Sequence, residues 1–151
     1  MKAVVQRVSE ASVRVESGEV RHIGPGLMIL FCAVDGDTED LIPKLARKTA
    51  GLRIFRDENG KMNLSALELG YSALVVSQFT LAADTKKGMR PAFIRAAEPG
   101  FAKKAYERYC EELAAAGISE IKTGEFGDEM EVRIVNDGPV TIILDTEEWA
   151  R

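Results

Sequence analysis

ALVVSQFTL, Ala73 to Leu81, is the stretch that decides the fold. It is apolar and β-branched at successive positions, so both faces of the strand it forms must be covered, which puts that strand in the middle of a sheet. Its partners are read by the same rules. Alternating apolar positions in Ala3 to Val8 and Ala11 to Val15 predict two strands, and Gly24-Pro25-Gly26 marks a turn before the apolar run Leu27 to Val34. Arg53 to Phe55 reads as a short strand ahead of a turn at Asp57 to Gly60. Ile118 to Phe126, Met130 to Val135 and Val140 to Asp145 supply three more. Two helices complete the pattern. Thr38, Glu39 and Asp40 can cap the first, which carries Leu41, Leu45 and Leu52 on one side and tolerates Pro43 in its first turn. The second, about Pro99 to Ala116, places Phe101, Ala105, Tyr109 and Leu113 four apart and stops at Gly117. The expected fold is α+β, with mostly antiparallel strands and two helices packed on one side.

A length of 151 residues with 46% hydrophobic composition predicts a single domain over 1–151 with one core. No apolar run approaches the roughly 20 residues needed to cross a bilayer, and Met1 to Val8 lacks a signal-peptide pattern, so the expected location is cytoplasmic. Cys32 in an apolar strand and Cys110 in a helix form no paired motif. They read as buried thiols, and neither a metal nor a cofactor is expected. The net charge of −4 excludes a protein that coats nucleic acid through broad attraction to phosphate. Any RNA contact must be local. Lys86, Lys87, Arg90 and Arg95 are the candidates for it, whereas Lys103, Lys104 and Arg108 read as a solvated helix face.

Two segments carry chemistry. Ser77 to Asp84 (SQFTLAAD) brings a hydroxyl, an amide and an aromatic ring to the end of the central strand. Alternation sends Ser77 and Phe79 to one face and Gln78 and Thr80 to the other, so they share a cavity only if the strand ends or bulges there. Asn136 to Thr141 (NDGPVT) puts a Gly-Pro bond where a strand should begin, with Asn136 and Asp137 as turn-formers. A serine or cysteine triad would need a histidine base, and the chain has only His22, beside the Gly24 turn with nothing to couple it to a nucleophile. A histidine-based triad is therefore set aside.

Both segments resemble the signatures of the D-aminoacyl-tRNA deacylases. AVVQRVSEASVRVE from Ala3, GLRIFRDENGKMNLS from Gly51, GMRP from Gly88 and TGEFGDEMEV from Thr123 fit that family in order. Ala92 stands where a serine is expected after GMRP, and the acidic pair Asp128 and Glu129 precedes Met130 where the family is less charged.

The resemblance implies a barrel-like β/β/α layering, a homodimer, and cofactor-free, metal-independent hydrolysis of the ester of D-aminoacyl-tRNA into free D-amino acid and tRNA. The catalytic segment is then Ser77, Gln78, Phe79 and Thr80. The ribose hydroxyl beside the ester would activate or orient a water, and the backbone N–H groups of Phe79 and Thr80 would hold the oxyanion; one such donor is worth roughly 3 kcal/mol. The Thr80 hydroxyl polarises the carbonyl or acts as nucleophile, and the lack of an adjacent base favours the first. Gly138 and Pro139 correspond to a Gly-cis-Pro loop whose carbonyls reject an L side chain in the partner subunit's pocket, while glycyl-tRNA slips through. Arg7 matches an arginine that braces this loop; its alternative is an exposed ion pair. Phe126 and Met130 line the adenosine or aminoacyl pocket or else pack in the core. The competing functions are a Thr80-dependent esterase or amidase on small D-amino acid derivatives, and a noncatalytic RNA-end module.

Overall fold

The computed structural model describes residues 1–150. In chain order the elements are β1 (Lys2–Arg14), β2 (Val20–Ile23), β3 (Gly26–Cys32), α1 (Leu41–Ala50), β4 (Phe55–Arg56), β5 (Met62–Leu64), α2 (Ala66–Leu69), β6 (Ser72–Ser77), α3 (Pro99–Ala116), β7 (Ile121–Thr123) and β8 (Glu131–Asp145). Short 3-10 turns follow β6 at Phe79–Ala82 and β8 at Thr146–Ala150.

β1 organises the sheet. It pairs antiparallel with β3 along its first half, with β2 along its second, and with β8 along nearly its whole length. β6 lies between β3 and β7 and is parallel to both, so the sheet is mixed and curls toward a closed barrel. β3 and β6 come close enough that a Cβ at Gly26 would lie 2.0 Å from the Ser72 carbonyl oxygen, a contact only glycine avoids. β4 and β5 form a separate small hairpin.

Strand alternation gives the sheet two buried faces. Leu27, Ile29, Phe31, Ala73 and Val75 pack against the helices, with Leu45, Ala46, Tyr109 and Leu113. Met28, Leu74 and Val76 point the other way, into Val8, Ala11, Val13 and Ile23, with Met130 and Val132 closing that side. Burying each large apolar side chain contributes about 1.5–3 kcal/mol, so the β6 sequence has no lower-energy place than the sheet centre. Tyr109 is fully buried and stacks on Phe31 at 4.7 Å. Its hydroxyl donates to Thr49 Oγ1 at 2.7 Å, and Thr49 in turn donates to the Leu45 carbonyl at 2.8 Å, so the buried polar groups are paired.

α3 occupies the expected span, with Pro99 at its start and Gly117 ending it. Other boundaries differ from the sequence reading for identifiable reasons. The two expected N-terminal strands are one strand, because a bulge at Ser9 absorbs the break in alternation. The central strand stops at Ser77 rather than Leu81. The strands expected either side of Gly138-Pro139 are one continuous β8, so Asn136 and Asp137 do not precede a strand but lie inside one. Leu41 and Leu52 do not form the buried stripe of the first helix; Ile42, Leu45, Ala46, Thr49 and Ala50 do, and Asp40 caps it without a side-chain bond. A third helix, α2, was not expected. Ser65 caps it by accepting from the Glu68 N–H.

Candidate active site

The end of β6 builds the site. The Gln78 N–H donates to the Phe31 carbonyl at 2.7 Å as a last rung toward β3, and the Leu81 N–H then donates back to the Gln78 carbonyl at 3.2 Å. That second bond starts the 3-10 turn, ends the alternation, and brings Ser77, Gln78 and Phe79 onto one cavity of about 730 Å³. Phe79 and Thr80 are the first two residues of the turn, so their N–H groups have no acceptor within it. The Thr80 side chain is exposed and does not line the cavity; its Oγ1 accepts from Gln78 Nε2 at 2.5 Å.

Cys32, Ala33 and Val76 floor the cavity, and residues 96–99 with Ala102 form one rim. Phe126, Asp128 and Met130 also line it. At the mouth, Phe79 is 55% exposed and meets the Phe93 ring edge to face at 5.1 Å. Phe126 and Met130 both line the cavity, and Phe126 also packs toward Tyr106 and Met130 onto the second core.

The charges around this cavity are held in place by main-chain groups. Glu98 caps α3 by accepting from the Gly100 and Phe101 N–H groups at 2.7 and 3.1 Å, which keeps its carboxyl below the usual carboxylate range. Asp128 Oδ2 accepts from the Glu16 N–H at 3.1 Å, and the Glu129 N–H donates to Glu16 Oε1 at 2.9 Å. The acidic pair thus pins the turn between β1 and β2 to the cavity wall. Burial pushes the Cys32 thiol above its ordinary value, and it pushes the Cys110 thiol up to about 12. Both cysteines are free, as read from the sequence.

Arg7, Gly138 and Pro139 come together elsewhere in the structure. Between the pairs Gln6↔Thr141 and Val8↔Asn136, β1 supplies only Arg7 while β8 supplies residues 137–140, which bulge outward. The Gly138–Pro139 peptide bond is cis. Gly138 has φ +137°, and a Cβ there would sit 2.9 Å from Arg7 Nη2 and 2.9 Å from Val140 Cγ2, so the position requires glycine. Arg7 is only 3% exposed. Its Nε donates to the Asp137 carbonyl at 2.9 Å and its Nη1 to the Ile54 carbonyl at 2.7 Å, so the guanidinium is a buried brace, with Nε also 3.5 Å from the half-exposed Asp137 carboxylate. Arg56 Nη1 holds the Asp137 carboxylate at 2.9 Å and lowers its pKa, and Asn136 Oδ1 accepts from the Val140 N–H at 2.9 Å. Gly138 and Pro139 are exposed and do not line the cavity of their own chain.

His22 is exposed, 3.7 Å from Glu10, and takes no part in the cavity. Among the described residues no group of three His, Cys, Asp or Glu side chains is placed to hold a metal ion, and no helix is long and apolar enough to cross a membrane. Lys86, Lys87 and Arg90 are exposed in the loop closed by the Asp84–Ala92 bridge, whereas Arg95 pairs with Glu147 at 3.0 Å. The sequence reading missed Cys32, Phe93, and the rim around Glu98. Glu98 alone left a signal, a carboxylate placed just before the Pro99 that opens a helix.

The D-Tyr-tRNA(Tyr) deacylase family profile matches residues 4–145. A D-aminoacyl-tRNA deacylase of Cereibacter sphaeroides is 55% identical, covering 97% of this chain and 100% of its own length. One from Paracoccus denitrificans is 52% identical over 99% of this chain and 100% of its own length. Among solved structures, one titled c-Myc DNA unwinding element binding protein superposes with TM-score 0.89 at 42% identity, covering 96% of this chain and 98% of that one. A structure titled as a probable eukaryotic D-amino acid tRNA deacylase has TM-score 0.84 at 17% identity, covering 95% and 97%, a likeness of fold.

Proposed function

The chain belongs to the D-Tyr-tRNA(Tyr) deacylase family, and from that premise we propose that it hydrolyses the ester of D-aminoacyl-tRNA in the cytoplasm, releasing D-amino acid and tRNA. The observation that carries the proposal is the ending of β6. Its turn leaves the Phe79 and Thr80 N–H groups without partners in the turn beside a cavity large enough for an aminoacyl adenosine, and such fixed donors suit a developing oxyanion. Ser77 and Gln78 line the approach, and Phe126 and Met130 supply apolar surface for the substrate. The ribose hydroxyl next to the ester serves as the activating group, so no histidine or metal is needed.

Stereochemistry is read by the Gly138-Pro139 loop of a second protomer. The loop is exposed and braced from behind by Arg7, a form suited to insertion into a neighbour's cavity. Its carbonyls collide with an L side chain and leave room for a D side chain or for glycine, so glycyl-tRNA is a secondary substrate. Homodimerisation is then part of the mechanism. Lys86, Lys87 and Arg90, exposed in the loop that follows Phe79 in the chain, would meet acceptor-end phosphates. Thr80 is the weaker nucleophile candidate, because the Gln78 amide donates to its hydroxyl oxygen and draws electron density from it. Its role is to fix Gln78.

The test is deacylation of D-Tyr-tRNA and L-Tyr-tRNA in the presence of excess chelator. D-Tyr should be released and L-Tyr retained, and a terminal 2′-deoxyadenosine should slow the D-reaction by at least about 100-fold. Activity lost to chelation, or equal turnover of both enantiomers, refutes the proposal.

A further inference from the structure

Away from the cavity, the outer face of α1 carries Lys44, Arg47 and Lys48, which at helical spacings of three and four lie side by side. With Trp149 they line an open groove of about 410 Å³. Lys44 is 3.6 Å from Asp40, but among the described residues no carboxylate pairs with Arg47 or Lys48. The negative end of the α1 dipole accounts for cations in its last turn. It does not account for an indole left 41% exposed beside them on a chain of net charge −4.

The groove is also tied to the cavity. Trp149 lies two residues past Glu147 in the terminal 3-10 turn, about 4 Å along its axis, and Glu147 pairs with Arg95, which directly precedes Ala96 at the cavity rim. Clustered cations with an exposed aromatic plane match what a nucleic acid strand offers, phosphates spaced beside flat bases.

We infer that this groove is a second RNA contact, in which Arg47, Lys48 and Lys44 meet phosphates and Trp149 stacks on a base of the strand leading away from the aminoacylated end. The inference rests on the deacylase reading for its substrate, and the groove binds RNA whether or not the ester is present. Trp149 is the sole tryptophan, so its fluorescence reports on the groove directly.

Titration of the intact protein with uncharged tRNA should quench that fluorescence, and Arg47→Glu with Lys48→Glu should weaken the binding about tenfold and flatten its salt dependence. In deacylation, the same double variant and Trp149→Ala should raise KM for D-Tyr-tRNA about tenfold at unchanged kcat and leave D-tyrosyl-adenosine turnover unaltered. Trp149→Phe should restore most of the loss. Absence of quenching, or an equal loss on tRNA and on D-tyrosyl-adenosine, overturns the inference. A wild-type protein that is quenched by tRNA yet releases no D-Tyr leaves the groove standing and removes the deacylase reading instead.

Discussion

β6 ends at Ser77 and passes into a single 3-10 turn, while β8 detours through residues 137–140 and resumes its pairing with β1 at Thr141. Both interruptions expose main chain, in different ways. A strand that ends in a helical turn leaves N–H groups unpaired, whereas a bulge anchored on both flanks keeps its strand in the sheet and pushes a short loop outward. The supports differ as well. The β6 turn is held mainly by backbone bonds, Leu81 N–H to the Gln78 carbonyl and Ala83 N–H to the Thr80 carbonyl, with the Gln78–Thr80 contact, while the β8 bulge is held by the side chains of Arg7, Arg56 and Asn136. Donation to a developing charge needs only local geometry. Under the proposed function, rejection of the wrong enantiomer falls to the segment braced by side chains, because that task needs a wall that does not yield.

The sharpest way to break this comparison is Gly138→Val. A side chain there meets Arg7 and Val140 at a positive φ, so the loop must move, and kcat/KM for D-Tyr-tRNA should fall at least about 100-fold in single-turnover deacylation. Kinetics within twofold of wild type would detach the bulge from the site. On the β6 side the expected effect is smaller. Thr80→Ala removes one side-chain hydrogen bond and keeps both N–H donors, so kcat should fall by no more than about tenfold. A loss near 1,000-fold would make the hydroxyl the nucleophile and invert the roles given to side chain and main chain.

The least effect is expected at Asp137, whose carboxylate is 42% exposed. Its pKa is depressed, first by the hydrogen bond from Arg56, then by the charges of Arg56 and Arg7. A depressed carboxyl contributes stability above its unfolded value of 3.8, and that contribution is lost as pH falls through the lower folded value. Asp137→Asn should therefore cost no more than about 0.5 kcal/mol in urea unfolding at pH 7, with the difference fading below about pH 4. A larger cost would show that the Asp137 carboxylate, rather than its main-chain carbonyl held by Arg7, carries the bulge.

Where the sequence was readable, it was because a residue's chemistry permits few alternatives. ALVV has no amphipathic option, so β6 is central; Pro99 and Gly117 punctuate α3 at both ends. The resemblance brought Ser77, Gln78, Phe79, Phe126 and Met130 to one cavity that spacing alone could not assemble. Sequence failed where a tertiary bond decides. Nothing in SQFTL marks Ser77 as the last strand residue, because the stop is the Leu81 bond back to Gln78. The outward bulge of β8 is invisible without Arg7 facing it across the sheet. On α1, small buried residues such as Ala46 and Ala50 outweighed the leucines that hydropathy favours, since close packing against α3 rewards small side chains as much as large ones.

Cys32 lies on the cavity floor with its thiol kept protonated by burial. Peroxide and electrophilic probes attack the thiolate, so under oxidative stress this surface should resist sulfenylation and adduct formation and keep its shape. Thiol-directed covalent inhibitors would accordingly gain little from the one sulfhydryl that lines the cavity.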